Sequence, residues 1–246
     1  MDCSMNGAWS NAETNSVWNK KGKTHFGATA PKVLIIDPEG GAEAVNPESD
    51  IWPVNTWTDL DEVYNYLKTD EALKKYDWVC VDGLTRLNNM ALRYVMKMAE
   101  ERDLERAPGL VDRRDYGKSG ELMKGMLYNF HSLPFGVVYT AQERQISASG
   151  GFDEDEDIEE SEVRYVPDLP NAVRNAVNGI VDVIGRIYTV RVDHPKKPDT
   201  QVVVRGLWIG PSDQLDTGGR KQFGIMPDYI KGPTVPKLID TLKGTK

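Results

Sequence analysis

The sequence is short of several things, and each shortage excludes a class of protein. It has two cysteines, Cys3 and Cys80, in 246 residues. That is too few for a disulfide scaffold, and Cys80 falls inside an apolar run where a small core residue is expected, which fits a reducing compartment. No run of 18 apolar residues occurs, so no membrane-spanning helix and no membrane partner are expected. The opening MDCSMNGAWSNAETNS has neither a basic region nor an apolar stretch of the kind a secretion signal needs, so the expected location is the cytoplasm. Excess base is missing as well: the net charge is −8, which argues against a generally basic nucleic-acid-binding surface. The imbalance is local, because residues 153–162, DEDEDIEESE, hold eight acids and no base. The rest of the chain is balanced, and basic grooves within it stay open as an option. His25, His131 and His194 show no spacing with cysteine or carboxylate that makes a metal site. No Ser-His-Asp or Cys-His arrangement can be argued.

What is present is an alternation of apolar runs and amphipathic stretches. Residues 1–16 are polar, and a disordered or diverged start is expected there; residues 17–246 are long enough for one α/β domain with a full core. A short helix is expected over 24–30, stopped by Pro31. KVLIID (32–37), YDWVCVD (76–82) and FGVVYTA (135–141) read as buried strands, and 50–55 as a shorter one. Helices are expected over 58–68, with Thr58 as N-cap, and over 84–101 and 119–132. The charged stretch 102–118 reads as a surface loop, 143–168 as a mobile acidic loop, and 169–178 as a short helix. Residues 180–192 and 200–210 form an expected antiparallel pair, and 234–244 a closing helix. Strand–helix alternation with strands ending in Asp37, Asp82 and Thr140-Ala141-Gln142 predicts a mostly parallel sheet whose chemistry lies at the strands' carboxyl ends.

The chemistry-bearing stretch runs from Val17 to Gly41. Gly22-Lys23-Thr24 is the second half of a phosphate-binding loop: the Lys ammonium can reach β- and γ-phosphates and the Thr hydroxyl can hold Mg²⁺. The first glycine of that motif, which lets backbone amides curl round a phosphate, is Val17 here. Asp82, ending a buried strand, fits a carboxylate that holds Mg²⁺ through water. Glu39, in the turn Asp37-Pro38-Glu39-Gly40-Gly41, can orient an attacking water. Gln142, past the third strand, can sense a terminal phosphate. Arg220 and Lys221, in TGGRKQFG, can reach phosphate, including one held by a neighbouring subunit. Plainer readings stand beside these: a solvated basic turn, a helix-capping Asp, a turn Glu, an exposed Gln, a solvated basic pair.

With those residues in view, the chain resembles the phage-type RecA-like P-loop ATPases, AAA-labelled ATP-binding proteins of phage genomes, some associated with recombination and single-strand annealing. The resemblance spans about residues 20–243. It is carried by GKTHFGATAPKVLIIDPEGG, TWTDLDEVYNYL, YDWVCVDGLTRL, the DYG at 115–117, VVYTAQER, PDLPNAVRNAVNGIVDVIGRI and RKQFGIMPDYIKGPT. It implies a RecA-like core with a C-terminal antiparallel β addition, and ATP with Mg²⁺ as ligands. Gly22, Lys23 and Thr24 would then bind nucleotide, Thr24 and Asp82 the metal, Glu39 the attacking water, and Gln142 would couple the γ-phosphate to a DNA-facing loop, 143–168. It further implies a homo-oligomer acting on single-stranded DNA with phage recombination proteins in the host cytoplasm. Val17 and the acidity of the 143–168 loop depart from the pattern. The alternative is a catalytically weak or dead RecA-like fold serving as an interaction module. A nucleotide kinase of another P-loop branch is a third reading.

Overall fold

The computed structural model describes residues 22–45, 49–147, 163–193, 197, 200–220 and 226–244. The expectation for residues 1–16, and Val17 itself, lie outside them. The chain forms two compact units: one is contiguous, Thr24–Val181, and the other combines Asp182–Lys246 with the segment up to Lys23.

The contiguous unit is built on four parallel strands. Helix α1 (Lys23–Gly27) leads to β1 (Val33–Asp37), followed by a 3₁₀ turn (Ala42–Ala44) and β2 (Asp50–Pro53). Helices α2 (Asp59–Leu67) and α3 (Asp70–Lys75) lead to β3 (Trp78–Asp82). Helices α4 (Leu84–Arg102) and α5 (Arg113–His131) precede β4 (Gly136–Thr140). The order across the sheet is β2-β1-β3-β4, with Ile35 beside Cys80 and Cys80 beside Val138. All five residues of β1 are buried, which is why these runs read as continuously apolar rather than alternating.

Side chains alternate across a strand, and the two faces of this sheet are covered differently. Leu34, Ile36, Val79 and Val81 point into one large cluster with Val63 and Leu67 of α2, Leu87 of α4, and Met123, Leu127 and Phe130 of α5. Cys80 faces the other way, where α1 lies so close that a Cβ on Gly27 would sit 2.3 Å from the Cys80 sulfur. Burial, and then the negative charges of Asp82 and Asp37, push the Cys80 thiol well up, so it is an inert packing group.

Two stretches differ from expectation. The charged segment 102–118 is not all loop: α5 begins at Arg113, six residues before its apolar periodicity does. Asp112 caps it by accepting from Arg114 N, and a reciprocal capping box joins Asp112 and Asp115. Asp115 is buried and pairs with Arg106, which also donates to Leu110 O at 3.0 Å. A fixed carboxylate–guanidinium pair thus pins a segment whose polarity suggests solvent. Likewise the ends of 143–168 are a two-stranded antiparallel ribbon, β5 (Glu143–Ser147) against β6 (Val163–Pro167). Residues 148–162, including the acidic run, lie outside the described residues. Helix α6 (Asn171–Ile180) closes this unit.

The second unit carries β7 (Val183–Ile184), β8 (Arg186–Asp193), β9 (Gln201–Trp208), β10 (Gly218–Gly219), β11 (Tyr229–Lys231) and α7 (Val235–Lys243). β8 and β9 form the expected antiparallel pair over eight residues each, and β11 adds a third strand beside β9. Three parallel-sheet expectations and this β addition are therefore met: the fold is α/β, a parallel sheet flanked by helices with extra antiparallel strands, consistent with a P-loop core. No helix among the described residues is long and apolar enough to cross a membrane.

Candidate functional site

The carboxyl ends of β1, β3 and β4 converge on one cluster of polar groups. At the end of β1, the buried Asp37 carboxylate organises the following turn. Its Oδ1 accepts from Glu39 N at 3.0 Å and Gly40 N at 2.8 Å, and its Oδ2 accepts from Ala42 N at 2.8 Å. Three charge-assisted bonds to main-chain amides hold this loop in one shape. Glu39 is thereby presented with its side chain exposed while its backbone is fixed.

At the end of β3, Asp82 is buried and accepts from the Thr140 hydroxyl at 2.6 Å, across the register that pairs Asp82 with Thr140 of β4. Gly83 follows at φ +130°, a conformation open to glycine, and α4 starts at once. Thr85 in its first turn is buried, and its hydroxyl accepts from Gln142 N at 3.0 Å. Gln142 O in turn accepts from Asp168 N at 2.8 Å, where the β5–β6 ribbon closes. With its main chain held on both sides, Gln142 extends its side-chain amide to Glu39 Oε1 at 3.5 Å. Glu39 and Gln142, 103 residues apart in sequence, therefore face each other, with the Glu39 side chain against Gly83, the residue after Asp82.

Thr24 lies in the first turn of α1, whose other end packs on the sheet. Gly27 rests on Cys80 and Val138, and the chain then passes through Ala28–Lys32 to the start of β1. Lys23 opens that helix, and Gly22 before it has φ +99°. Gly22 also lies against Arg205 of β9, whose Nε would be 2.7 Å from a Cβ there. Arg220 lies in the second unit, exposed, its amide donating to Asp182 O at 2.8 Å and its guanidinium 3.9 Å from the Asp182 carboxylate. Lys221 lies outside the described residues.

Of the residues singled out from sequence, Glu39, Asp82 and Gln142 are brought together. Four others at the site carried no such role in the sequence reading: Asp37, Gly83, Thr85 and Thr140. The signal for Asp37 was the Asp-Pro-Glu-Gly-Gly turn itself, since an Asp ahead of glycines commonly accepts from amides two and three residues on. Among the described residues, no group of three or more His, Cys, Asp or Glu side chains could hold a metal by itself.

A search among curated proteins finds no match to the chain. A family model described as an AAA domain matches residues 19–221, most of the length and all of the strand-end cluster. With a parallel sheet that gathers Asp82, Glu39 and Gln142 at its carboxyl ends and a match of that extent, the chain belongs to the AAA domain family of P-loop NTPases.

Proposed function

We propose that the chain is a Mg²⁺-dependent ATPase acting in phage DNA recombination or replication. The observation that carries the ATPase reading is the strand-end cluster: Glu39 and Gln142 face one another, with Glu39 against Gly83, the residue after the buried Asp82. A hydroxyl and a strand-end carboxylate suit Mg²⁺, which prefers oxygen ligands, keeps several waters and takes the rest of its shell from phosphates. Thr24 and Asp82 would hold it, with Thr140 fixing the Asp82 carboxylate. When bound, the ion neutralises charge on the β- and γ-phosphates. Gly22 and Lys23 would hold the nucleotide, the Lys ammonium lying where charge develops. Glu39 would orient the attacking water and take its proton, and Gln142 would report the terminal phosphate to the β5–β6 ribbon. Arg220 and Lys221 are proposed to reach a nucleotide held by a neighbouring copy in a homo-oligomer. The phage setting, single-stranded DNA, phage recombination proteins as partners and the host cytoplasm rest on the resemblance of the quoted motifs.

One observation favours a second reading. Val17 stands where the phosphate-binding loop has its first glycine, and a side chain there hinders backbone amides from wrapping a phosphate. On that reading the fold serves as an interaction module in the same assembly.

Calorimetry of Mg-ATP binding, with and without single-stranded DNA, separates the two. The ATPase reading expects micromolar binding strengthened by DNA, and a loss of turnover of about a hundredfold or more in Lys23→Ala. No binding under either condition favours the interaction module. Unchanged turnover in Lys23→Ala would overturn the assignment of that site.

A further inference from the structure

We propose that Gly83 is a positioning residue for Glu39: by carrying no side chain, it keeps open the slot in which the Glu39 carboxylate sits. The inference rests on the reading of Glu39 as the group that orients water.

Gly83 lies between the buried Asp82 and the first turn of α4, with φ +130° and ψ 61°. A Cβ built on it would lie 3.0 Å from Glu39 Cγ, 3.0 Å from Glu39 Oε1 and 3.3 Å from Glu39 Cδ. The three nearest atoms thus all belong to one side chain, and that side chain is the proposed water-orienting acid. The same Oε1 faces the Gln142 amide at 3.5 Å. Glu39 Oε1 is therefore bounded by the Gly83 main chain on one side and by Gln142 on another, while Asp37 fixes the backbone it springs from.

The side chain that a methyl at 83 would displace is exposed, held on its inner side only by Gly83 and the Gln142 amide. The positive φ strains any side chain at 83 in every background, so the part of the effect that passes through Glu39 is the part that a change at Glu39 removes. Contacts of 3.0–3.3 Å ask the carboxylate to give by a fraction of an ångström, and since about 1 Å of misplacement costs on the order of a hundredfold in rate, a loss of about tenfold is expected here. Asp82 and Thr140 are buried beneath and hydrogen-bonded to each other, so metal and nucleotide binding are left in place. The glycine acts on turnover through Glu39 and not on affinity.

The test is a cycle of Gly83→Ala, Glu39→Ala and the double variant, measured as Mg-ATP turnover, together with a crystal structure of Gly83→Ala. The expected result is a kcat lowered about tenfold in Gly83→Ala with KM within about threefold. Glu39→Ala removes all three atoms that the methyl would meet, so Gly83→Ala in that background is expected to cost much less of the residual kcat. In the crystal, the Glu39 carboxylate is expected to be displaced from Gln142. Equal fold-losses in both backgrounds would overturn the proposal, since a glycine required only for its backbone conformation predicts that result. Absence of turnover in the unaltered chain would sink the ATPase reading instead, and the crystal would still decide the slot: an unmoved carboxylate overturns it. Should Gly83→Ala fail to fold, Glu39→Ala is expected to restore folding, and failure in both backgrounds would likewise overturn the proposal.

Discussion

Asp37 shows how one buried carboxylate shapes a site without being a candidate for its chemistry. Asn in its place keeps one acceptor oxygen and turns an NH₂ group toward amides that are themselves donors. Asp37→Asn is therefore expected to destabilise the contiguous unit by about 1–3 kcal/mol, the cost of leaving buried polar groups unpaired, read as a lower denaturant midpoint. It should also lower turnover more than it raises KM, because the Glu39 loop loses its anchor while Asp82 keeps Thr140. Equal stability in the two chains would show that the three amide contacts do not fix the turn. At this scale the sequence was legible where chemistry coincides with a strand end, as at Asp82, or with a turn signature, as at Glu39. Gly83 and Thr85 were not legible, because their roles depend on the Glu39 side chain and the Gln142 main-chain amide, which only the fold brings near.

Elements were legible in proportion to their apolar periodicity. Runs such as VLIID and WVCVD declare themselves, and helix α2 alternates faces at helical spacing. The first turns of α5 do not, because their residues, Arg-Arg-Asp-Tyr-Gly-Lys, carry almost no apolar signal; the capping pair Asp112 and Asp115 was the clue. The short α3, whose Thr69 hydroxyl accepts from Ala72 N at 3.3 Å, was missed for lack of length. The start of α5 also has a measurable acid response. The hydrogen bonds from Arg106 come first in holding the Asp115 carboxyl below the ordinary carboxylate range, with the backbone amide of Asp112 and the Arg106 charge adding to them. A carboxyl depressed in the folded state stabilises fully above its unfolded value, near pH 4. That stabilisation is lost as pH falls through the lowered value. The acid limb of the stability–pH curve is therefore expected to be flatter in Asp115→Asn than in the unaltered chain below about pH 4. Parallel limbs in the two proteins would show that this pair does not contribute to acid unfolding.

For the whole molecule, charge is the property that sequence states outright and that folding redistributes least. The eight acids of 153–162 account for the entire net charge, and in sequence they lie between β5 and β6, the two strands of the ribbon that Gln142 anchors. Phosphate contacts dominate affinity for nucleic acid. If this ribbon, with Arg144 and Arg164, faces a strand, replacing those acids by Asn and Gln should tighten binding of a labelled single-stranded oligonucleotide at low salt. The log–log salt slope should steepen with it. Unchanged anisotropy would remove the ribbon from any DNA-facing role. The arrangement of units was the least legible property: composition shifts little at Val181–Asp182, and the second unit gathers Gly22 and Lys23 to strands from the far end of the chain.

That division bears on how the protein is made. Residues 24–181 are contiguous and hold their own core, so this unit can close as soon as it clears the ribosome, N-terminal elements first. The second unit recruits residues from both sides of it, and cannot close until β8, β9 and β11 have been synthesised. The Gly22–Arg205 contact, which spans the whole first unit in sequence, is then among the last to form. Gly22 and Lys23 would take their places in that unit only after β9 has emerged, so a chain stalled before it would hold a formed sheet while its phosphate loop is unfinished.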